Sequence, residues 1–147
     1  MRKFEMAIAI ACLLGVASCS KQTSASTAVD VDGGPTEQVL RDFMFKQYEV
    51  MNSQGGVPMT VTQTGKGGKV RSKLYEVHKD KCAPFTASKV PGMYQCTVNL
   101  MTTMWWEGMQ EPSKPLKDAK RVRAMRDPKG VWIDCTYASG PNSVCRR

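Results

Sequence analysis

The chain has 147 residues, 21 Lys and Arg against 13 Asp and Glu, a formal charge of +8, and six cysteines. That length suits one domain rather than several. Its longest apolar run, Met6 to Leu14, is too short to cross a bilayer, which takes about 20 residues, so a membrane-spanning helix is excluded.

The chain opens on Met1, Arg2 and Lys3, with Glu5 as an acidic intrusion, and the apolar run follows. Gly15, Val16, Ala17 and Ser18 then lead into Cys19. A basic start, a short apolar stretch and a small-residue exit make a secretory signal. Val16-Ala17-Ser18-Cys19 resembles the bacterial lipobox. That resemblance implies removal of residues 1–18, diacylation of the Cys19 thiol and acylation of its new amine. Several acyl chains anchor a protein stably where one would not. Ser20 stands where an Asp would mark inner-membrane retention, so the resemblance implies an outer-membrane lipoprotein facing the periplasm. Loss of Arg2, Lys3 and Glu5 leaves 19 basic and 12 acidic residues, a charge of +7. Such a surface attracts anionic partners, and the compartment argues against nucleic acid.

Residues 20–34 are small and polar with no apolar face, and cannot bury enough surface to fold. Residues 19–33 are therefore expected to form a lipidated flexible tether, with one domain at 34–147. Pro35, Thr36 and Glu37 start a helix. Leu40, Phe43, Met44, Tyr48 and Met51 recur at helical spacing, until Asn52 to Gly56 ends it.

Strands follow. Val57, Met59 and Val61 alternate, with Pro58 suggesting an edge or a strand start. Gly65 to Gly68 is a turn, and Lys69 to Lys79 a less cleanly patterned strand. Tyr94, Cys96, Val98 and Leu100 alternate with polar residues, and this strand can run on to Trp106. Glu107 to Asp118 reads as a loop. Lys120 to Arg126 and Val131 to Thr136 are strands joined by the turn Asp127 to Gly130. The expected fold is α+β: one N-terminal helix packed on a four- or five-stranded antiparallel sheet.

Cys12 leaves with the signal and Cys19 takes lipid. Cys82, Cys96, Cys135 and Cys145 remain, an even number in an exported domain, and read as two disulfides. A zinc site needs close Cys pairs, and the spacings of 14, 39 and 10 supply none. In a meander, the end of the second strand lies beside the start of the third, which favours Cys82–Cys96. The flexible tail lets Cys145 return to Cys135. The order of elements over residues 35–136 resembles the cystatin and nuclear-transport-factor-like family of sheets wrapped on one helix. The cystatin inhibitory motif Gln-x-Val-x-Gly is absent around Gln54, so the resemblance implies fold and not protease inhibition.

No nucleophile–base pair, nucleotide loop or metal motif is present, and no cofactor or enzymatic activity is expected. His78 is the sole histidine and has no partner at a recognisable spacing. Met101, Met104 and Met109 offer thioethers of the kind Cu(I) takes, but they do not repeat at a fixed interval and read as packing residues. Trp105 and Trp106 are adjacent, so on a strand they face opposite sides. One can enter the core under the helix; the other is a candidate partner contact. Lys120, Arg121 and Arg123 gather charge on the fourth strand. The expected function is non-enzymatic: an envelope-anchored binding, assembly or inhibitor module for a periplasmic protein partner. The alternative is a binding module for an anionic envelope glycan or lipid headgroup.

Overall fold

A computed structural model of the chain describes residues 27–60, 67–87, 90–106, 109, 111–136 and 145. The signal segment, Cys19 and residues 20–26 of the expected tether lie outside them. The described chain is α+β. One helix, α1 (Glu37–Ser53), precedes five strands: β1 (Val57–Thr60), β2 (Gly67–Pro84), β3 (Tyr94–Trp106), β4 (Leu116–Arg126) and β5 (Trp132–Asp134). They form one antiparallel meander in the order β1-β2-β3-β4-β5. β4 starts at Leu116, inside the stretch expected as a loop, because Leu116 to Ala119 pair with Asn99 to Thr102 of the long β3.

The helix forms because Leu40, Met44, Gln47 and Tyr48 recur on one stripe, and all four are buried. Leu40, Met44 and Tyr48 meet Leu74 and Val77 of β2, Cys96, Val98 and Leu100 of β3 and Val122 of β4. Burying side chains of this size stabilises by about 1.5–3 kcal/mol each. A satellite cluster of Val39, Ala124 and Trp132 closes the far end of the sheet, where Tyr94 meets Trp132 edge-on at 5.8 Å. The buried Gln47 amide donates to Asp134, so its polarity is satisfied. After the helix, Gly56 has a φ of +99°, and a Cβ there would lie 2.4 Å from the Val70 carbonyl oxygen. Only glycine lets the helix exit lie this close to β2.

The cysteines pair as Cys82–Cys96 and Cys135–Cys145. The first joins residues directly opposite in the β2–β3 ladder. The core and both disulfides lie between Val39 and Cys145.

β1 is registered with only four residues of the 18-residue β2. The edge of β2 left beyond it would be an open template for strand pairing. Side chains satisfy it instead. The Asn52 amide donates to the Ser72 carbonyl and accepts the Ser72 N–H, as a neighbouring strand would. Glu37 accepts the N–H of Lys79, and Asp32 that of Cys82.

Residues 27–33, expected as tether, lie against the domain. Val29 bridges to Pro35, Trp132 Nε1 donates to the Ala28 carbonyl, and Arg126 donates to that of Thr27. Lys79 fastens the segment. Its side chain is 7% exposed, its Nζ lies 2.9 Å from Asp30 and 2.8 Å from Asp32, and it donates to the Pro35 carbonyl. Composition could not show this, because the fixing groups belong to β2, β4 and β5.

The hydrogen bond from Lys79, aided by the Val31 N–H, holds the Asp30 carboxyl below the ordinary carboxylate range. At Asp32, burial works upward, but bonds from Lys79 and from the N–H groups of Gly34 and Cys82 outweigh it and its pKa also falls. Burial works to lower Lys79; Asp32 and Asp30 outweigh it and raise its pKa. The lowered carboxylates contribute stability that is in place above about pH 4 and lost as pH falls through their folded values. The raised Lys79 contributes stability in place below about pH 10 and lost as pH rises through its folded value. The melting temperature of the wild type should therefore exceed that of Lys79→Met by a constant margin from about pH 5 to 9, narrowing below about pH 4. A margin unchanged down to pH 2 would contradict the clamp. Replacing Cys82 and Cys96 together by Ala should lower unfolding free energy by about 3 kcal/mol in denaturant titration.

Candidate functional site

Side chains alternate along a strand, so burial separates the two faces of the sheet. On β3, Cys96, Val98, Leu100 and Thr102 are buried on the helix side. Gln95, Thr97, Asn99, Met101, Thr103 and Trp105 stand on the outer face, and of these Thr103 is itself buried, bonded to the Tyr75 hydroxyl. Across the ladder from them lie Arg71, Lys73, Glu76, His78, Lys81 and Ala83 of β2. On the other flank are Lys117, Ala119, Arg121 and Arg123 of β4. Among the described residues, no helix or second sheet lies over this face.

The outer face is strongly basic. Six cations share it with one carboxylate, Glu76, among the residues in register. Among the described residues none of the six is within ion-pair distance of an acid. Their charge is therefore open to an outside partner. His78 is exposed, with Glu37 at 3.8 Å and Glu76 at 3.5 Å.

The face has two different ends. At one, Arg71 is opposite Trp105, Lys73 opposite Thr103, and Glu76 opposite Met101, which is in turn opposite Lys117. Tyr75 lies over this end: Thr103 donates to its hydroxyl, and the Lys73 ammonium sits 5.0 Å from its ring centre. Cations here alternate with an exposed Tyr, a half-buried Trp and a Met. At the other end Lys81 is opposite Thr97, itself opposite Arg121, and Ala83 and Arg123 flank Gln95. The Arg123 guanidinium stacks 4.5 Å from the Phe85 ring.

The residues singled out in sequence are thus divided. Trp105 is on the outer face at one end, and Arg121 and Arg123 are on the same face at the other. Eight residues along β3 separate Trp105 from the position opposite Arg121, roughly 26 Å of strand. Lys120 is opposite Val98 on the helix side, with its ammonium 5.0 Å from the Tyr48 ring centre. Trp106 is opposite Val70 on that same side. It does not enter the core: it is 39% exposed, beside an equally open Val57 registered with Val70 from β1. Met101 and Met104 face opposite sides of β3, so they do not form one donor set. Among the described residues, no three His, Cys, Asp or Glu side chains are gathered as a metal ion would need. A shallow hollow of about 360 Å³ lies on the helix side, lined by Val29, Gly33, Tyr94, Arg126, Trp132 and neighbours.

Sequence reasoning missed Arg71, Lys73 and Tyr75. The signal was the alternation of Arg71 and Lys73 with Val70, Ser72 and Leu74. Bulges between Leu74 and Glu76 and between Lys79 and Lys81 shift the phase of β2, so no single period spans it.

Comparison with protein-family models, curated proteins and solved structures finds no match to this chain.

The division has a direct consequence for stability. Lys120→Gln should cost about 0.5–1 kcal/mol, because it loses its contact with the buried Tyr48 ring. Arg121→Gln should stay within about 0.5 kcal/mol of wild type, as an exposed side chain does. Urea titration of the two variants measures both, and equal losses would contradict the assignment of faces.

Proposed function

We propose that this chain is an envelope lipoprotein, anchored through Cys19, whose domain is a non-enzymatic binding, assembly or inhibitor module for a periplasmic protein partner. The contact surface is the outer sheet face at its Arg71–Trp105 end, and the partner segment is acidic. One observation carries the reading. Among the described residues no helix or second sheet covers the face and its cations have no carboxylate partners, and Trp105, Tyr75 and Met101 lie between them. Trp, Tyr, Met and Arg are the residues enriched at protein interfaces, and Trp, Tyr and Arg dominate their hot spots.

The alternative, an anionic glycan or lipid headgroup, is favoured at the Arg121–Arg123 end, where cations stand without an exposed Trp or Tyr.

Capture from an envelope extract, with crosslinking before extraction, tests the first reading. One protein should be recovered in stoichiometric amount with the wild-type domain. Trp105→Ala should weaken its affinity by about 30-fold or more, as a hot-spot truncation does. Arg71→Gln with Lys73→Gln should slow its association and flatten the salt dependence of that rate. Undiminished capture by both variants would sink the assignment. Retention on purified glycan with no protein recovered would replace it by the alternative.

A further inference from the structure

The fixed segment 27–33 changes how far the domain can stray from its anchor. If residues 19–33 were all slack, 14 residue steps would reach about 50 Å. Because the chain is fastened from Thr27 onward, only eight steps separate it from Cys19, a reach of at most about 29 Å. The point of attachment is also fixed. Thr27 is held by Arg126, the last residue of β4, and Ala28 by Trp132, the first of β5. The leash therefore leaves the domain at one end of the sheet, beside the β4–β5 turn.

That end is basic in a specific way. Arg126 is exposed and stacks 5.0 Å from the Trp132 ring centre. Lys129 is exposed at the tip of the turn. The turn is set by Asp127, whose carboxylate accepts the N–H groups of Lys129 and Val131. Arg123 lies one row back on the outer face. Among the described residues, none of these three cations is paired with an acid. The neighbouring acids are engaged inside the fold: Asp30 and Asp32 on Lys79, Asp127 in its turn, and Asp134 on Gln47 and Thr136. Uncompensated positive charge thus surrounds the point where the leash emerges.

Resting on the reading that Cys19 carries the anchor, we propose that this end docks on the anionic phospholipid headgroups of the same membrane, through Arg123, Arg126 and Lys129. Charge attraction to a membrane acts over about one Debye length, near 8 Å at physiological salt. A free domain would leave that zone. A leash of at most about 29 Å returns it continually, as a linked second site returns a bivalent ligand. Docking at this end directs the Arg71–Trp105 end away from the bilayer, where a periplasmic partner can reach it.

Vesicle sedimentation tests this with residues 19–147 carrying Cys19→Ser, a span that keeps the core and both disulfides. Without acyl chains, this protein should bind mixed phosphatidylcholine and phosphatidylglycerol vesicles, ignore phosphatidylcholine alone, and be released by salt. Each cation lost at the leash end should reduce binding roughly fivefold, and the triple change Arg123→Ala, Arg126→Ala and Lys129→Ala roughly a hundredfold. Arg123 and Arg126 stack on rings, so Lys129→Gln alone is the variant least able to disturb folding, and it should still show its fivefold loss. Arg71→Gln with Lys73→Gln removes more charge at the opposite end and should change binding less than twofold. No preference for the anionic vesicles, or an equal loss from the opposite-end pair, overturns the docking. Mass analysis of Cys19 in the full chain made in bacteria separates the two readings. An unmodified Cys19 overturns the anchor and the leash. An acylated Cys19 in a chain whose unacylated form ignores anionic vesicles overturns only the docking.

Discussion

Lys79 sits where β2 runs on past β1, with its side chain turned away from water, and a buried ammonium needs compensation. Asp30 and Asp32 provide it, and much of the architecture at that end follows. Two acids from an otherwise polar, featureless stretch are drawn onto β2. The Thr27–Gly33 segment is laid along the sheet, within reach of Arg126 and Trp132. Asp32 then also caps the N–H of Cys82, beside the cross-strand disulfide. A buried pair of this kind is weak evidence for net stability, since desolvation offsets much of the attraction. Its value here is positional: it fixes where the chain leaves the domain.

That position gives the sheet a polarity. The meander is long and narrow, and its helix covers one face only. Cations gather towards the two ends of the other face, separated by the rows of Glu76 and His78, and its chemistry changes along the strands. Trp105, Tyr75 and Met101 accompany the cations at the Arg71–Trp105 end, whereas Thr97, Gln95 and Ala83 lie among them at the Arg121–Arg123 end, with the Phe85 ring in contact under Arg123. A single basic patch would serve one class of partner. A strand separation of roughly 26 Å lets the two ends meet different ones. The proposed membrane end and the proposed partner end are therefore assigned by distance and composition together.

The fold was largely legible because its signals are local. Helical spacing from Leu40 to Met51, clean alternation from Tyr94 to Leu100, and the Asp-Pro-Lys-Gly turn each declare their element without help. Even the disulfide pairing followed from meander order. The candidate site was legible only in part. Arg121, Arg123 and Trp105 were found by residue type, but their separation depends on register, which sequence does not print. Lys120 was grouped with Arg121, although one residue's step moves it to the other face. Arg71, Lys73 and Tyr75 were hidden by bulges that break the period of β2. Residues 27–33 gave no sign of order because their partners lie about 50 to 100 positions away, at Lys79, Arg126 and Trp132.

In the proposed orientation the leash end faces the membrane and the Arg71–Trp105 end faces away. The most direct measurement is the depth of each end in the acylated protein on vesicles containing phosphatidylglycerol. A nitroxide replaces the side chain of Lys129 in one sample and of Lys73 in another. Its accessibility to a lipid-soluble and a water-soluble relaxant reports distance from the bilayer surface. The label at position 129 should lie in the headgroup region and the label at position 73 in bulk water. Equal accessibility at the two positions, or the reverse order, would contradict it.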